Sequence, residues 1–117
     1  MRLDRVQLAI PKGHEARQRD FWLGLLDFKE EPKPEALQRR GGLWLRCGTV
    51  RVHLGIEEDH RAARKAHPAF ALAALDTLAA RLSDAGRPVI WDESIPGLRR
   101  FYTDDPSGNR IEFLEER

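Results

Sequence analysis

The sequence predicts an α+β fold made of two copies of one unit: a strand, a helix and then about three strands. Three observations support this expectation. Apolar and polar residues alternate with period two in residues 3–10, 43–56 and 110–114, while residues 14–26 and 75–85 place apolar side chains at helical spacing. The same order of elements begins again near residue 67 after a polar stretch, and a half of this size is too small to bury a full core alone.

Each element follows from its residues. In LDRVQLAI, Val6, Leu8 and Ile10 share one face and Arg5, Gln7 and Ala9 the other, and Pro11 and Gly13 end the strand. Phe21, Trp22, Leu25 and Leu26 form the apolar stripe of the first helix, with Glu15 near its start where the helix dipole favours an anion. Asp27 tolerates a left-handed turn into Phe28. EEPKPE is too rich in proline for a central strand and reads as a short edge strand entering a loop that ends at Gly41-Gly42. Two alternating runs on either side of Gly48-Thr49 make a hairpin. EEDHRAARKA lacks an apolar stripe and reads as a solvated linker. HPAFALA then reads as a strand, and Leu75, Leu78, Ala79 and Leu82 as a helix ended by Gly86. Short strands at 89–91, 99–103 and 110–114 complete the chain, with turns at Pro96-Gly97 and DPSGN. Module one is expected over about residues 1–57, the linker over about 58–66 and module two over about 67–117, within a single domain.

Composition narrows the function. Twenty Lys+Arg against 19 Asp+Glu provide no global field for a polyanion, and no apolar run approaches the roughly 20 residues of a membrane span. Neither nucleic acid nor membrane is therefore an expected partner. The opening residues lack an apolar signal core, so a cytoplasmic protein is expected. Lone Cys47 offers neither an internal disulfide nor a thiolate cluster. Of the 20 basic residues 16 are Arg, whose planar forks suit carboxylates and phosphates.

LDRVQLAI, FWLGLLDF and above all RRFYTDDPSGNRIEFLE resemble the vicinal-oxygen-chelate superfamily, the group of glyoxalases, bleomycin-resistance proteins and extradiol dioxygenases. The resemblance spans almost the whole chain. It implies two βαβββ modules forming curved mixed sheets around a cavity, helices on the outer faces, metal ligands on the inner faces, and a homodimer. Carried over residue by residue, His67 stands at the first-strand ligand of module two and Glu112 at the last-strand ligand. His53 stands at the last-strand position of module one, where glyoxalase I-like members have glutamate. Arg5 occupies the first-strand position that is usually histidine, and a guanidinium cannot ligate.

Strand parity supports these positions independently. Glu112 is out of phase with Ile111 and Phe113, His53 with Val52 and Leu54, and His67 with Phe70 and Leu72. Two imidazoles and a carboxylate suit Zn, Ni, Fe or Mn in the divalent state. The expected function is a metal-dependent lyase or isomerase acting on a small anionic, oxygen-rich substrate. In this reading Glu112 moves a proton, Tyr102 borders the substrate, and Arg5, Gln7, Trp44, Arg51 and Arg100 bind it. Arg5 counts against dioxygenase chemistry and motivates the alternative, a metal-free small-molecule or antibiotic binder resembling bleomycin-resistance proteins.

Overall fold

The computed structural model describes residues 1–116. The chain divides into two units, one spanning Met1–Ala62 and one beginning at Ala63. The first contains β1 (Val6–Ile10), α1 (Glu15–Trp22), β2 (Lys29–Glu31), α2 (Glu35–Gln38), β3 (Leu43–Cys47) and β4 (Val50–Ile56). Its sheet runs β1-β4-β3-β2, with β1 parallel to β4 and the other pairs antiparallel. The second contains β5 (Ala69–Leu72), α3 (Leu75–Asp84), β6 (Ile90–Trp91), β7 (Arg100–Asp104) and β8 (Arg110–Glu115), ordered β5-β8-β7-β6 with the same directions. Both units are thus βαβββ modules with four-stranded mixed sheets.

In each module one sheet face and the helix bury the apolar set. Phe21 and Trp22 of α1, Ile10, Leu43, Leu45, Val52 and Leu54 are buried in the first. Leu75, Leu78 and Leu82 of α3 join Phe101, Ile111 and Phe113 in the second. Trp22 would carry an unpaired indole N–H into this interior, and it donates that hydrogen to Gln18 Oε1 at 2.9 Å, which explains a fully buried glutamine.

Three local departures from expectation have physical causes. The first helix stops at Trp22 rather than Leu26, because the chain tightens at Gly24, where a Cβ would lie 2.4 Å from the Asp20 carbonyl oxygen. Asp27, at φ 60°, then turns Phe28 so that its N–H reaches the Trp22 carbonyl at 2.9 Å. The loop after the edge strand contains the one-turn helix α2, started by Pro34, whose ring fixes φ at a helix-compatible −52°. The first strand of each module begins later than alternation suggests. Arg5 precedes β1 and His67 precedes β5, so neither of these two first-strand positions lies within the strand itself.

The turn before β8 is built by side chains. Asp105 Oδ1 accepts from the N–H groups of Ser107 and Asn109 at 2.8 and 2.9 Å, and Asn109 Nδ2 donates to Oδ2 at 2.9 Å. Gly108 supplies the φ of 87° that the turn requires. This closure fixes the register that presents Glu112.

Candidate functional site

Registers show which residues of the two modules are equivalent. Gln7 pairs with His53, and His53 with Trp44. Ala69 pairs with Glu112, and Glu112 with Tyr102. His53 therefore corresponds to Glu112 and Trp44 to Tyr102; counting back two residues from Gln7 and Ala69, Arg5 corresponds to His67. Each module presents one residue just before its first strand and one on its last strand.

In module two these residues meet. His67 Nδ1 lies 2.7 Å from the Lys65 carbonyl, which can only accept, so Nδ1 carries a hydrogen there. Its Nε2 lies 3.0 Å from Glu112 Oε1. With Nδ1 protonated, Nε2 in the neutral ring presents a lone pair to a carboxylate, an arrangement that needs a proton or another cation between the two atoms. Glu112 is buried, and its second oxygen lies 3.5 Å from Arg100 Nη1. Arg100 is in turn held by Asp92 Oδ2 at 3.0 Å and Ser94 Oγ at 3.2 Å, while its Nε is buried without a hydrogen-bond partner among the described residues. The hydroxyl and N–H of Ser94, with a smaller contribution from Arg100, hold the Asp92 carboxyl below the usual carboxylate range. Tyr102 stands edge-on to His67, and the Arg110 guanidinium lies 3.8 Å from the centre of its ring.

In module one the equivalent pair does not meet. His53 is buried and stacks on Trp44, ring centres 4.3 Å apart and planes 14° from parallel. Burial pushes the imidazole below its ordinary value, and the positive charge of Arg5 adds to the effect. Arg5 turns to Asp4, with Nη1 2.9 Å from Oδ2. Arg5, Gln7, Trp44 and His53 line a cleft of about 340 Å³ together with Lys33 and Arg40. Arg51 is not among its lining residues; it faces Arg46 across the β3–β4 pair.

Over its full length the chain aligns with 96% of a protein from Bacillus anthracis solved as a glyoxalase family protein, at 42% identity and a TM-score of 0.94. The chain belongs to the vicinal-oxygen-chelate superfamily. Two further members share the fold at lower identity. One is FosX, a fosfomycin resistance protein from Listeria monocytogenes, with 12% identity, TM-score 0.80, and coverage of 100% of this chain and 94% of that one. The other is the lactoylglutathione lyase of Agrobacterium tumefaciens, with 17% identity, TM-score 0.70, and coverage of 94% and 91%. No family model and no curated protein matches the sequence.

Apart from Arg51, the sequence-derived site residues fall into two groups. His67, Arg100, Tyr102 and Glu112 form one network in module two. Arg5, Gln7, Trp44 and His53 share the module-one cleft. Sequence reasoning missed the parts that orient them: the Lys65 carbonyl, Asp92 and Ser94. The Asp-x-Ser spacing in WDES was the one available signal, and its turn bond, Ser94 N–H to Asp92 Oδ1 at 2.8 Å, anchors the carboxylate that holds Arg100.

The donor set for the superfamily's divalent metal can be tested on the module-two pair. Two ligands each about 2.1 Å from an ion stand about 3.0 Å apart in octahedral and about 3.4 Å apart in tetrahedral coordination, so the 3.0 Å between Nε2 and Oε1 suits adjacent octahedral positions. The Lys65 bond fixes the tautomer that turns a lone pair toward the ion, the usual orienting contact of a ligating histidine. The two residues therefore fit a metal. Among the described residues no three His, Cys, Asp or Glu side chains gather as a metal group, so this pair is the converged part of the set.

Proposed function

We propose that the protein is a metal-dependent enzyme of lyase or isomerase type acting on a small anionic, oxygen-rich molecule. The observation behind this reading is the His67–Glu112 pair, with its tautomer fixed by Lys65 and its spacing suited to two adjacent ligands. His67 and Glu112 would hold the ion. A divalent ion there supplies Lewis acidity toward substrate oxygens.

The chain's own residues have separable tasks. Arg100, fixed by Asp92 and Ser94, steadies the carboxylate of Glu112 so that one oxygen remains directed at His67. Glu112 is the group placed to hold or move a proton at Oε1. Tyr102 packs against His67 and restricts its rotation.

The test is metal analysis of tag-free protein. Stoichiometric divalent metal in the native protein, lost in both His67→Ala and Glu112→Ala, supports the reading. Absence of metal even after incubation with zinc, nickel, iron or manganese overturns it.

One arrangement favours a second reading, a metal-free binder. Glu112 already has two cationic or donor neighbours in His67 and Arg100, and Arg5 replaces the fourth ligand. This reading expects ligands to raise the melting temperature equally with and without chelator.

A further inference from the structure

We propose that the module-one cleft is a receptor for a doubly charged acid group, a phosphate monoester, held by Lys33 and Arg40. This assignment deepens the reading of the protein as one that acts on a small anion, and it rests on that reading. Lys33 and Arg40 lie in the segment around α2, which sequence patterning alone reads as a loop.

The charges of the cleft point one way. Arg5, Lys33 and Arg40 line it, and no Asp or Glu does. Of the acids near these elements, Asp4 pairs with Arg5 and Glu31 with Arg46, while Glu15 accepts from the N–H of Gly42 through Oε2 and buries Oε1 without a hydrogen-bond partner among the described residues. The larger hollow of module two, about 700 Å³, is the opposite case. It contains Asp76, Asp92, Glu93 and Glu115 against Arg99 and Arg100, and Arg99 is already bound to both Asp76 oxygens. Of these two hollows, the module-one cleft is the one whose lining holds cationic side chains and no Asp or Glu.

Donors are also free there. Lys33 Nζ donates one hydrogen to the Gly41 carbonyl and keeps two. That bond holds a half-buried ammonium at the cleft wall. Among the described residues the Arg40 guanidinium has no hydrogen-bond or ion-pair partner. The backbone makes this approach possible: Gly41 and Gly42 have φ of 72° and 82°, and a Cβ on Gly42 would lie 2.1 Å from the Leu54 carbonyl oxygen. Gln7 gives a third contact. Its amide nitrogen sits where a Cβ on Gly55 would be 2.6 Å away, so the glycine makes room for the amide. The Trp44–His53 stack then offers an aromatic wall for the body of the molecule. A dianion is favoured over a monoanion, because Lys33 and Arg40 attract it with twice the charge, and guanidinium matches phosphoryl oxygens in pairs.

Calorimetric titration of the full-length protein, in chelator, with phenyl phosphate, benzoate and phenol tests the proposal. Phenyl phosphate is expected to bind at least tenfold tighter than benzoate, and phenol weakest. Arg40→Gln should weaken phenyl phosphate binding by about tenfold and the Lys33→Gln/Arg40→Gln pair further, as expected for lost charge-assisted hydrogen bonds. Lys33→Arg should retain binding, and so should Arg64→Gln in the exposed linker. Equal affinity for benzoate, or an unchanged affinity in the double variant, overturns the proposal. Zinc titration of the same proteins separates it from the metal reading. Zinc binding unchanged by the Lys33 and Arg40 variants supports the assignment to a separate anion subsite. A native protein that binds phenyl phosphate but no zinc overturns the metal reading alone.

Discussion

The same two positions have opposite outcomes in the two modules. In module two, His67 and Glu112 attract each other and close to 3.0 Å. In module one, the equivalent Arg5 and His53 cannot attract each other; Arg5 pairs with Asp4 and His53 stacks on Trp44. The backbone is the same in both cases: the strand order, strand directions and registers correspond. Charge at these two positions therefore accounts for whether the two side chains of a βαβββ module meet or stay apart.

The largest expected effect comes from breaking the attractive pair. Glu112→Ala leaves His67 and Arg100 facing a buried space without their carboxylate, and should destabilise the protein by about 3 kcal/mol in chemical denaturation. Removing the support instead of the carboxylate should do less. Asp92→Ala frees Arg100 on the partly exposed side, and a smaller shift of the denaturation midpoint is expected than for Glu112→Ala.

The next prediction makes module one resemble module two. Arg5→Glu replaces the repelling charge with an attracting one, so the imidazole of His53 should titrate at higher pH than in the native protein, as followed by NMR. The native sign has its own consequence for stability. Burial and Arg5 lower the folded value of His53, so between that value and the ordinary 6.5 the unfolded chain binds more protons. Stability contributed by the neutral ring is complete above 6.5 and is lost as pH falls through the folded value. Urea midpoints should therefore drop more between pH 7 and pH 5 in the native protein than in His53→Gln.

The smallest effect lies away from both pairs. Thr103, on the helix side of module two, buries a hydroxyl without a partner. Thr103→Val should leave stability unchanged or raise it by up to about 1 kcal/mol, since no hydrogen bond is lost.

Much of this contrast was legible in the sequence. Parity placed His53 and Glu112 opposite their apolar neighbours, and the DPSGN turn announced the strand that carries Glu112, because period-two alternation and turn chemistry are local properties. The pairing of His67 with Glu112 joins residues 45 apart in sequence, and it emerged only from the superfamily resemblance. The role of Arg100 depended on Asp92 and Ser94 in a short, nearly unpatterned segment. Lys33 and Arg40 were missed for a related reason: α2 is a single turn with no apolar stripe, set by Pro34 and by two glycines at positive φ. Strand ends were overestimated at Arg5 and His67 because alternation continues past the last paired residue.

The most direct test of the difference between the modules is nitrogen NMR of the histidine rings during zinc titration of the native protein. The account predicts that one equivalent of zinc shifts the Nε2 resonance of His67 as its lone pair is engaged, while Nδ1 keeps its proton on the Lys65 carbonyl. Zinc that leaves His67 unchanged, or that engages Nδ1 instead, would contradict it.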